Sequence, residues 1–358
     1  MPKKTPLYDF HIEHNAKVID FGGWLMPVQY THIKNEHLAV RSQVGLFDAS
    51  HMGEFLITGK QALIFVDYLV TNAIADKKNG KTIYSPLCND QGGFIDDLLV
   101  YKFSPTKIML VVNASNIEKD WNWVKQKSEP FDVTLEDQSA DTVLLALQGP
   151  KSADFLSTLV KQPEILKSLE YYSFYEEKIL DISLLISRTG YTGELGFELY
   201  FHKKHTQMML NEIMALADSY NMTLCGLGAR DSLRLEKGYL LYGNDMNETI
   251  TPIEADVAWT VKWNKDFIGK EALQNLKPSK KLIGFEMLEN RIPRHGYKIF
   301  SKGNLIGEVT SGGISFSLGK NIGMGYVQLP YAELETPIQI EIRDKKFSAK
   351  VVKKTFVS

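Results

Sequence analysis

The sequence predicts an α+β protein, with antiparallel sheets and flanking helices followed by a small C-terminal β-barrel. Three observations carry this. Short β-rich runs follow one another across turn-sized links between residues 80 and 113, as in an antiparallel meander. Amphipathic helical stretches are interleaved with such runs without a regular β–α–β alternation, which disfavours a doubly wound sheet. From Lys280 onward the helical pattern stops, and short strands with turn signals take over. The expected division is an α+β region over 1–279, made of two intertwined subdomains, and a barrel domain over 280–358.

The elements follow in order. "AKVIDFGGW" reads as a strand. "IKNEHLAVRSQVGLF" reads as a helix, with Ile33, His37, Val40 and Val44 at helical spacing and Gly45 as its stop. "GEFLITG" is a strand, and "KQALIFVDYLVTNAI" a helix. The meander then runs "KTIYSPLC", the turn "NDQGG", "FIDDLLVYKF", the turn "SPT" and "KIMLVVNAS". In "SNIEKDWNWVKQKSE", Ser115 and Glu118 have the spacing of a helix capping box.

"DTVLLALQGP" is a strand closed by Gly149 and Pro150, and "KSADFLSTLV" a short helix. "KILDISLLISRTGYTGELGFELYF" reads as two strands around a glycine-rich turn. "KKHTQMMLNEIMALADSY" and "ARDSLRLEKG" read as helices.

The 358 residues suffice for two or three domains, and 44% hydrophobic with 23% charged residues is an ordinary globular composition. A net charge of −2, from 41 basic and 43 acidic residues, gives no electrostatic reason to expect nucleic acid or an anionic membrane as partner. Cys88 and Cys225 are the two cysteines and lack metal-ligand spacing, which fits free thiols in a reducing compartment. No run approaches the ~18 apolar residues of a membrane span. "MPKKTPLYDF" has no apolar signal core, so the expected location is cytoplasmic.

Several chemistries have no motif here: there is no P-loop, HExxH, GxSxG or CxxC. The glycines of "GYTGELG" have the wrong spacing for a phosphate loop and lie between strands. His51 in "SHMGE" is more simply a structural histidine than a catalytic one, and no metal site is expected.

Carboxylates, tyrosines and arginines remain. In "GGFIDDLLVY", strand alternation puts Asp97, Leu99 and Tyr101 on one face and Asp96, Leu98 and Val100 on the other. A carboxylate on an inward face needs a partner or a cavity. Tyr84 on the neighbouring strand can join Asp97 and Tyr101 along one cavity. Glu198 alternates with Phe197 and Leu199, where a carboxylate can take two parallel hydrogen bonds from a guanidine-like edge. Arg230, Arg234 and Lys237 form a basic helical stripe, ordinarily a solvated or interdomain face, with Tyr239 and Tyr242 beyond it.

Taken together, "DFGGWLMPVQY", "HLAVRSQVGLFDASHMGEF", "NDQGGFIDDLLVY", "VVNASNIEKDW", "LQGP", "SRTGYTGELGFE", "GLGARDSLRLEKGYLLYGND" and "TPIEADVAW" occur in the order and spacing of one family. From about residue 5 to its C-terminus the chain resembles the tetrahydrofolate-dependent aminomethyltransferases, the T-proteins of the glycine cleavage system. The resemblance implies a folate-binding core, three domains around a central channel, and tetrahydrofolate as co-substrate. It implies transfer of the one-carbon unit from the S-aminomethyl-dihydrolipoyl arm of a lipoylated carrier, the H-protein, with release of ammonia. It also implies that Asp97 is the catalytic carboxylate. The implied folate contacts are Tyr84, Tyr101, Asn113, Tyr191, Glu198, Arg230 and Tyr239. No metal, nucleic acid or membrane enters the activity.

Three relatives on the same scaffold are rivals. "SHMGE" with an intact "IDDLLVY" favours the aminomethyl branch over a sulfonium demethylase. Lys237-Gly238-Tyr239 departs from the Lys-Gly-Cys of a folate-binding branch that maintains iron–sulfur clusters. The chain leaves no room for the flavin domain of the fused amine oxidases. Ala49 and Asp256 are small departures from the family pattern, and neither falls on a named contact.

Overall fold

The structure, a computed structural model, describes residues 1–357. The chain divides into two compact units, one of residues 1–85 and 97–230, the other of residues 86–96 and the chain from 231 onward.

Two sheets build the first unit. A six-stranded sheet has the order Phe174–Ile179, Ile182–Ser187, Gly196–His202, Thr142–Gln148, Val44–Asp48, Met222–Cys225. All its pairs are antiparallel except the last, which is parallel. A five-stranded sheet has the order Lys81–Cys88, Phe94–Ser104, Lys107–Val112, Gly53–Thr58, Thr134–Asp137. Lys3–Lys4, Trp24–Gln29 and Lys17–Phe21 form a third, small sheet.

Alternation sorts the side chains of the six-stranded sheet between two cores. Phe197, Leu199 and Phe201, with Val143, Leu145 and Leu147, pack on Phe155, Leu156, Met209, Leu210 and Ile213 from the helices Ser152–Ser157 and Thr206–Ala217. The opposite face turns Leu144, Leu185 and Tyr200 toward Tyr101, Met109 and Val111 of the five-stranded sheet. Glu198 is two residues from Tyr200 and points the same way. Asp97 shares the parity of Leu99 and Tyr101, so both carboxylates belong to the space between the two sheets.

Four expectations are corrected. The helix begun at Ile33 ends at Ser42, and Val44–Asp48 is a strand. All five of its residues are buried because strands flank it on both sides, so the helical spacing of Val44 was coincidental. The helix expected through residue 74 covers only Ala62–Leu69. Ser115 does not cap its helix: a 3-10 turn, Ala114–Asn116, leads into Ile117–Ser128, and Asn116 holds the N-cap position without a side-chain capping bond. The glycine-rich segment is preceded by a hairpin, Phe174–Ile179 with Ile182–Ser187, that turns on Leu180 and Asp181 at φ 49° and 64°. Asp181 is a common turn residue, but Leu180 is not, and the hairpin left no glycine signal to read.

The second unit contains a closed six-stranded barrel in the order Lys280–Met287, Lys320–Gln328, Asn304–Ser315, Lys298–Ser301, Pro337–Ile342, Lys345–Val352. Phe285, Ile299, Val309, Ile340 and Val351 fill it. Arg234 is only 2% exposed and is no solvated stripe residue. Its guanidinium bonds Asp245 (2.8 Å), Ser311 (2.8 Å) and the Tyr239 carbonyl (3.0 Å). Asp245 also accepts from Thr310 and from the Leu241 N–H. Asp256 sits at φ 61°, a conformation aspartate tolerates, and faces Lys281 (3.2 Å) and Lys354 (3.6 Å).

Removing one partner of a buried ion pair strands the other charge. Asp245→Ala is therefore expected to cost about 3–5 kcal/mol. Urea unfolding followed by tryptophan fluorescence measures it; an unchanged midpoint would rule the pair out as a structural anchor.

Candidate functional site

Asp97 lies on the long Phe94–Ser104 strand, half-buried, with donors from the strands on either side. The Tyr84 hydroxyl donates to Oδ2 at 3.0 Å. Asn113 Nδ2 donates to Oδ1 at 2.8 Å and to the Asp97 carbonyl at 3.0 Å. An amide nitrogen can only donate, so Asp97 Oδ1 is the acceptor of the Asn113 bond. Burial, then the charge and hydrogen bond of Asp97, push the Tyr84 hydroxyl far above its usual range, so it stays a donor. By contrast Asp96, on the opposite face, is fully buried.

A second cluster lies between the sheets. Glu198 Oε2 accepts from Thr189 Oγ1 (2.6 Å) and Tyr200 (3.3 Å), with the Tyr101 hydroxyl at 3.5 Å. Tyr101 and Tyr200 bond one another at 2.8 Å. Tyr101 is completely buried, so it does not line an open cavity beside Asp97. It meets the site through Glu198 instead. Among the described residues no donor reaches Glu198 Oε1, so that oxygen is available to one.

The glycine-rich loop is shaped by Gln148 of the "LQGP" strand end. A Cβ on Gly190 or Gly196 would fall 2.0 Å or 2.3 Å from the Gln148 amide, so a side chain at either place would have to displace Gln148. Gln148 Nε2 donates to the Thr189 carbonyl, and Thr192 donates to Gln148 Oε1. Arg41 ties down the far side through the Thr192 carbonyl (2.7 Å) and Glu194 (2.9 Å). This loop presents Tyr191, and the Arg230 guanidinium stands over its ring at 4.7 Å. His51, buried near Arg230, is edge-on to Phe21 with ring centroids 5.9 Å apart. Burial and then the Arg230 charge hold its imidazole down to about 4, despite Asp48, so it is neutral at physiological pH.

Arg230 itself is positioned by a buried network from the N-terminal segment. Glu36 accepts from the Gly226 N–H (2.9 Å) at the start of the Leu227–Glu236 helix, and from Tyr30 and Thr31 N–H groups. The Tyr30 hydroxyl bonds His11 Nδ1, and His11 Nε2 bonds Asp48 at 2.9 Å. Thr5 and the Ser50 N–H also donate to Asp48. Burial opposes ionisation of Asp48, but the His11 hydrogen bond and charge, with Ser50 and Thr5, outweigh it and hold the carboxyl below the usual range.

Of the residues singled out in the sequence, Tyr84, Asp97 and Asn113 meet directly, Tyr101 meets Glu198, and Arg230 meets Tyr191. Tyr239 belongs to the second unit. Sequence reasoning passed over Tyr200, Thr189 and the Glu36 and Asp48 anchors. Tyr200 was open to discovery, because it shares the face of Glu198 by alternation. The others depend on contacts between distant segments. Among the described residues, no group of three or more His, Cys, Asp or Glu is placed to hold a metal ion, and no helix is long and apolar enough to cross a membrane.

An α+β body with carboxylates held between sheets, continued by a closed barrel, defines the class to which comparison gives a name. Residues 7–265 match the family described as GCVT N-terminal domain. Residues 280–358 match the glycine cleavage T-protein C-terminal barrel domain. The chain is 50% identical to an aminomethyltransferase of Thermosipho melanesiensis over 357 residues, covering 99% of this chain and 97% of that protein. An aminomethyltransferase of Thermotoga maritima is 48% identical over 327 residues, 91% of this chain and 89% of that one. The crystal structure of glycine cleavage system aminomethyltransferase T from Bartonella henselae superposes with a TM-score of 0.92 at 35% identity, covering 100% of this chain and 98% of that one. The chain belongs to the glycine cleavage T-protein family. It is an aminomethyltransferase with tetrahydrofolate as co-substrate, and the demethylase, iron–sulfur and amine-oxidase readings are not favoured.

Because Asp48 is depressed, its contribution is present above the ordinary carboxylate value and is lost as pH falls through its lower folded value. Asp48→Asn is expected to destabilise the protein by about 2–3 kcal/mol at pH 7. The difference from wild type should narrow on acidification below about pH 4. Thermal melts across pH 3–8 test this, and a pH-independent difference would contradict it.

Proposed function

We propose that one-carbon transfer takes place at Asp97, with Asp97 as the catalytic carboxylate. In this reading Tyr84, Asn113, Tyr191, Glu198 and Arg230 hold tetrahydrofolate. Tyr101 contributes by supporting Glu198, and Tyr239 enters through the family resemblance alone. The enzyme takes the one-carbon unit from S-aminomethyl-dihydrolipoyl H-protein and yields 5,10-methylenetetrahydrofolate, ammonia and dihydrolipoyl H-protein. A reducing, cytoplasmic setting belongs to the same reading and is supported by two buried free cysteines.

The observation that carries the site is the Asp97 carboxylate fixed at both oxygens by Tyr84 and Asn113. A carbon bonded to both nitrogen and sulfur develops positive charge as either bond breaks. A fixed carboxylate meets that charge without reorganising, which is the main source of electrostatic catalysis. A carboxylate can also take a proton in transit. The co-substrate supplies the nitrogens, N5 and N10, that accept the one-carbon unit.

The fit of the residues to a pterin rests on donors and acceptors. The 2-amino group and neighbouring ring N–H are two adjacent donors, and Glu198 offers them a carboxylate whose Oε1 takes no bond from the described residues. Tyr191, backed by Arg230, presents a flat ring.

An assay with aminomethylated H-protein and tetrahydrofolate, monitoring methylenetetrahydrofolate and ammonia, tests the assignment. Asp97→Asn is expected to lower kcat by about 10²-fold or more while leaving the melting temperature close to wild type. Turnover at the wild-type rate by a folded Asp97→Asn protein would remove Asp97 from the chemistry. Glu198→Gln should raise the tetrahydrofolate Kd by roughly 10–100-fold, the worth of a hydrogen bond to a charged group.

A further inference from the structure

The space between the two sheets holds another carboxyl group, one that the proposed chemistry leaves unused. Glu54 lies on the Gly53–Thr58 strand, opposite Val111, on the same inward face as Leu56. It is 1% exposed. Its main-chain N–H donates to Ser139 Oγ, but among the described residues neither carboxyl oxygen has a hydrogen-bond partner. The ionisable groups acting on it are Asp137, on the adjoining edge strand, and Glu198 and Tyr200 on the facing sheet. No cation is among them. An ionised carboxylate so placed would lack both a counter-charge and a donor, which a protein interior does not tolerate.

Glu198 is the opposite case. It draws Thr189, Tyr200 and Tyr101 hydroxyls to one oxygen and keeps the other free. Two carboxyl groups in one apolar cluster cannot both ionise cheaply, and their surroundings decide which keeps the proton. We propose that Glu54 and Glu198 form a divided carboxyl pair, in which Glu54 keeps a proton and leaves Glu198 as the single anion facing the donor-rich edge of the ligand. Glu54 is thus a positioning residue for Glu198, an inference that rests on Glu198 being a tetrahydrofolate contact. Burial, then the charges of Asp137 and Glu198, push the Glu54 carboxyl well above the usual range, in agreement with the geometry. The consequence for binding is definite. Glu198 need not surrender a proton when the ligand arrives, because its neighbour already holds it.

Three measurements on the full chain separate the possibilities. Infrared spectra at neutral pH should contain a protonated-carboxyl C=O band that Glu54→Gln abolishes and Glu198→Gln leaves. A band lost in Glu198→Gln but kept in Glu54→Gln, or no such band in wild type, overturns the proposal. Calorimetric titration with tetrahydrofolate near pH 7, in buffers of different ionisation enthalpy, should give one buffer-independent heat. Release of about one proton on binding would place the proton on Glu198 and overturn it. A raised acid takes up a proton on folding, so its folding benefit is lost as pH rises from the ordinary glutamate value toward the raised one. The melting temperature of Glu54→Gln should therefore gain on wild type with rising pH, and a constant gap counts against the assignment. If Glu198→Gln leaves tetrahydrofolate affinity at the wild-type value, the ligand reading and the positioning role fall together, while the infrared result still decides which residue holds the proton.

Discussion

A charge set between two packed β-sheets must be met by donors, and the first unit of this protein is arranged around that requirement. Asp97 and Glu198 come from different sheets, yet both turn toward the same interior. Each is answered by side chains fixed on regular strands or their ends: Tyr84 and Asn113 for Asp97, and Thr189, Tyr200 and Tyr101 for Glu198. Partners on strands cannot drift, so the carboxylates are held in place before any ligand arrives. The hydroxyl donors also explain why so many tyrosines collect there. A phenol adds an apolar ring to the core and a donor to the anion at the same time.

The loops that complete the site are held by equally specific buried contacts. Gln148 fills the inside of the glycine-rich loop and thereby orients Tyr191. Glu36 grips the N–H at the start of the helix bearing Arg230, and Asp48 secures the N-terminal segment that carries His11. These anchors lie far from the chemistry in sequence and convert flexible connections into fixed ones. In the second unit Asp245 does comparable work for Arg234, and Glu236 receives Ser315 and Ser317 from the barrel.

Much of this could be read from the residues. Period-two alternation put Asp97 on the face of Tyr101 and separated it from Asp96. Adjacency in the meander put Tyr84 within reach of Asp97. The change of texture at Lys280 coincides with the first barrel strand. The misreadings share one cause. Val44 kept helical time with Ile33, but pairing with strands nearly 100 and 180 residues away turned its segment into a buried strand. Ser115 and Glu118 had capping spacing, but the chain entered that helix through a 3-10 turn. Tyr101 had the right face for a cavity, but the facing sheet covers it.

The sequence by itself determined which side chains share a face, which segments are strands in the meander, where the barrel begins and which family the chain resembles. Those properties depend on spacing of a few residues, and local geometry enforces them. Only the tertiary structure decided that Tyr101 backs Glu198 rather than lining open space, that Arg234 is a buried ion-pair partner rather than a surface stripe, and that Glu54 stands unpartnered beside a second carboxyl. Tyr101 and Glu198 meet across 97 residues and Arg234 meets Ser311 across 77, although its ion-pair partner Asp245 is only 11 residues on. The penalty for burying a charge depends on what it meets there, not on its neighbours in the chain.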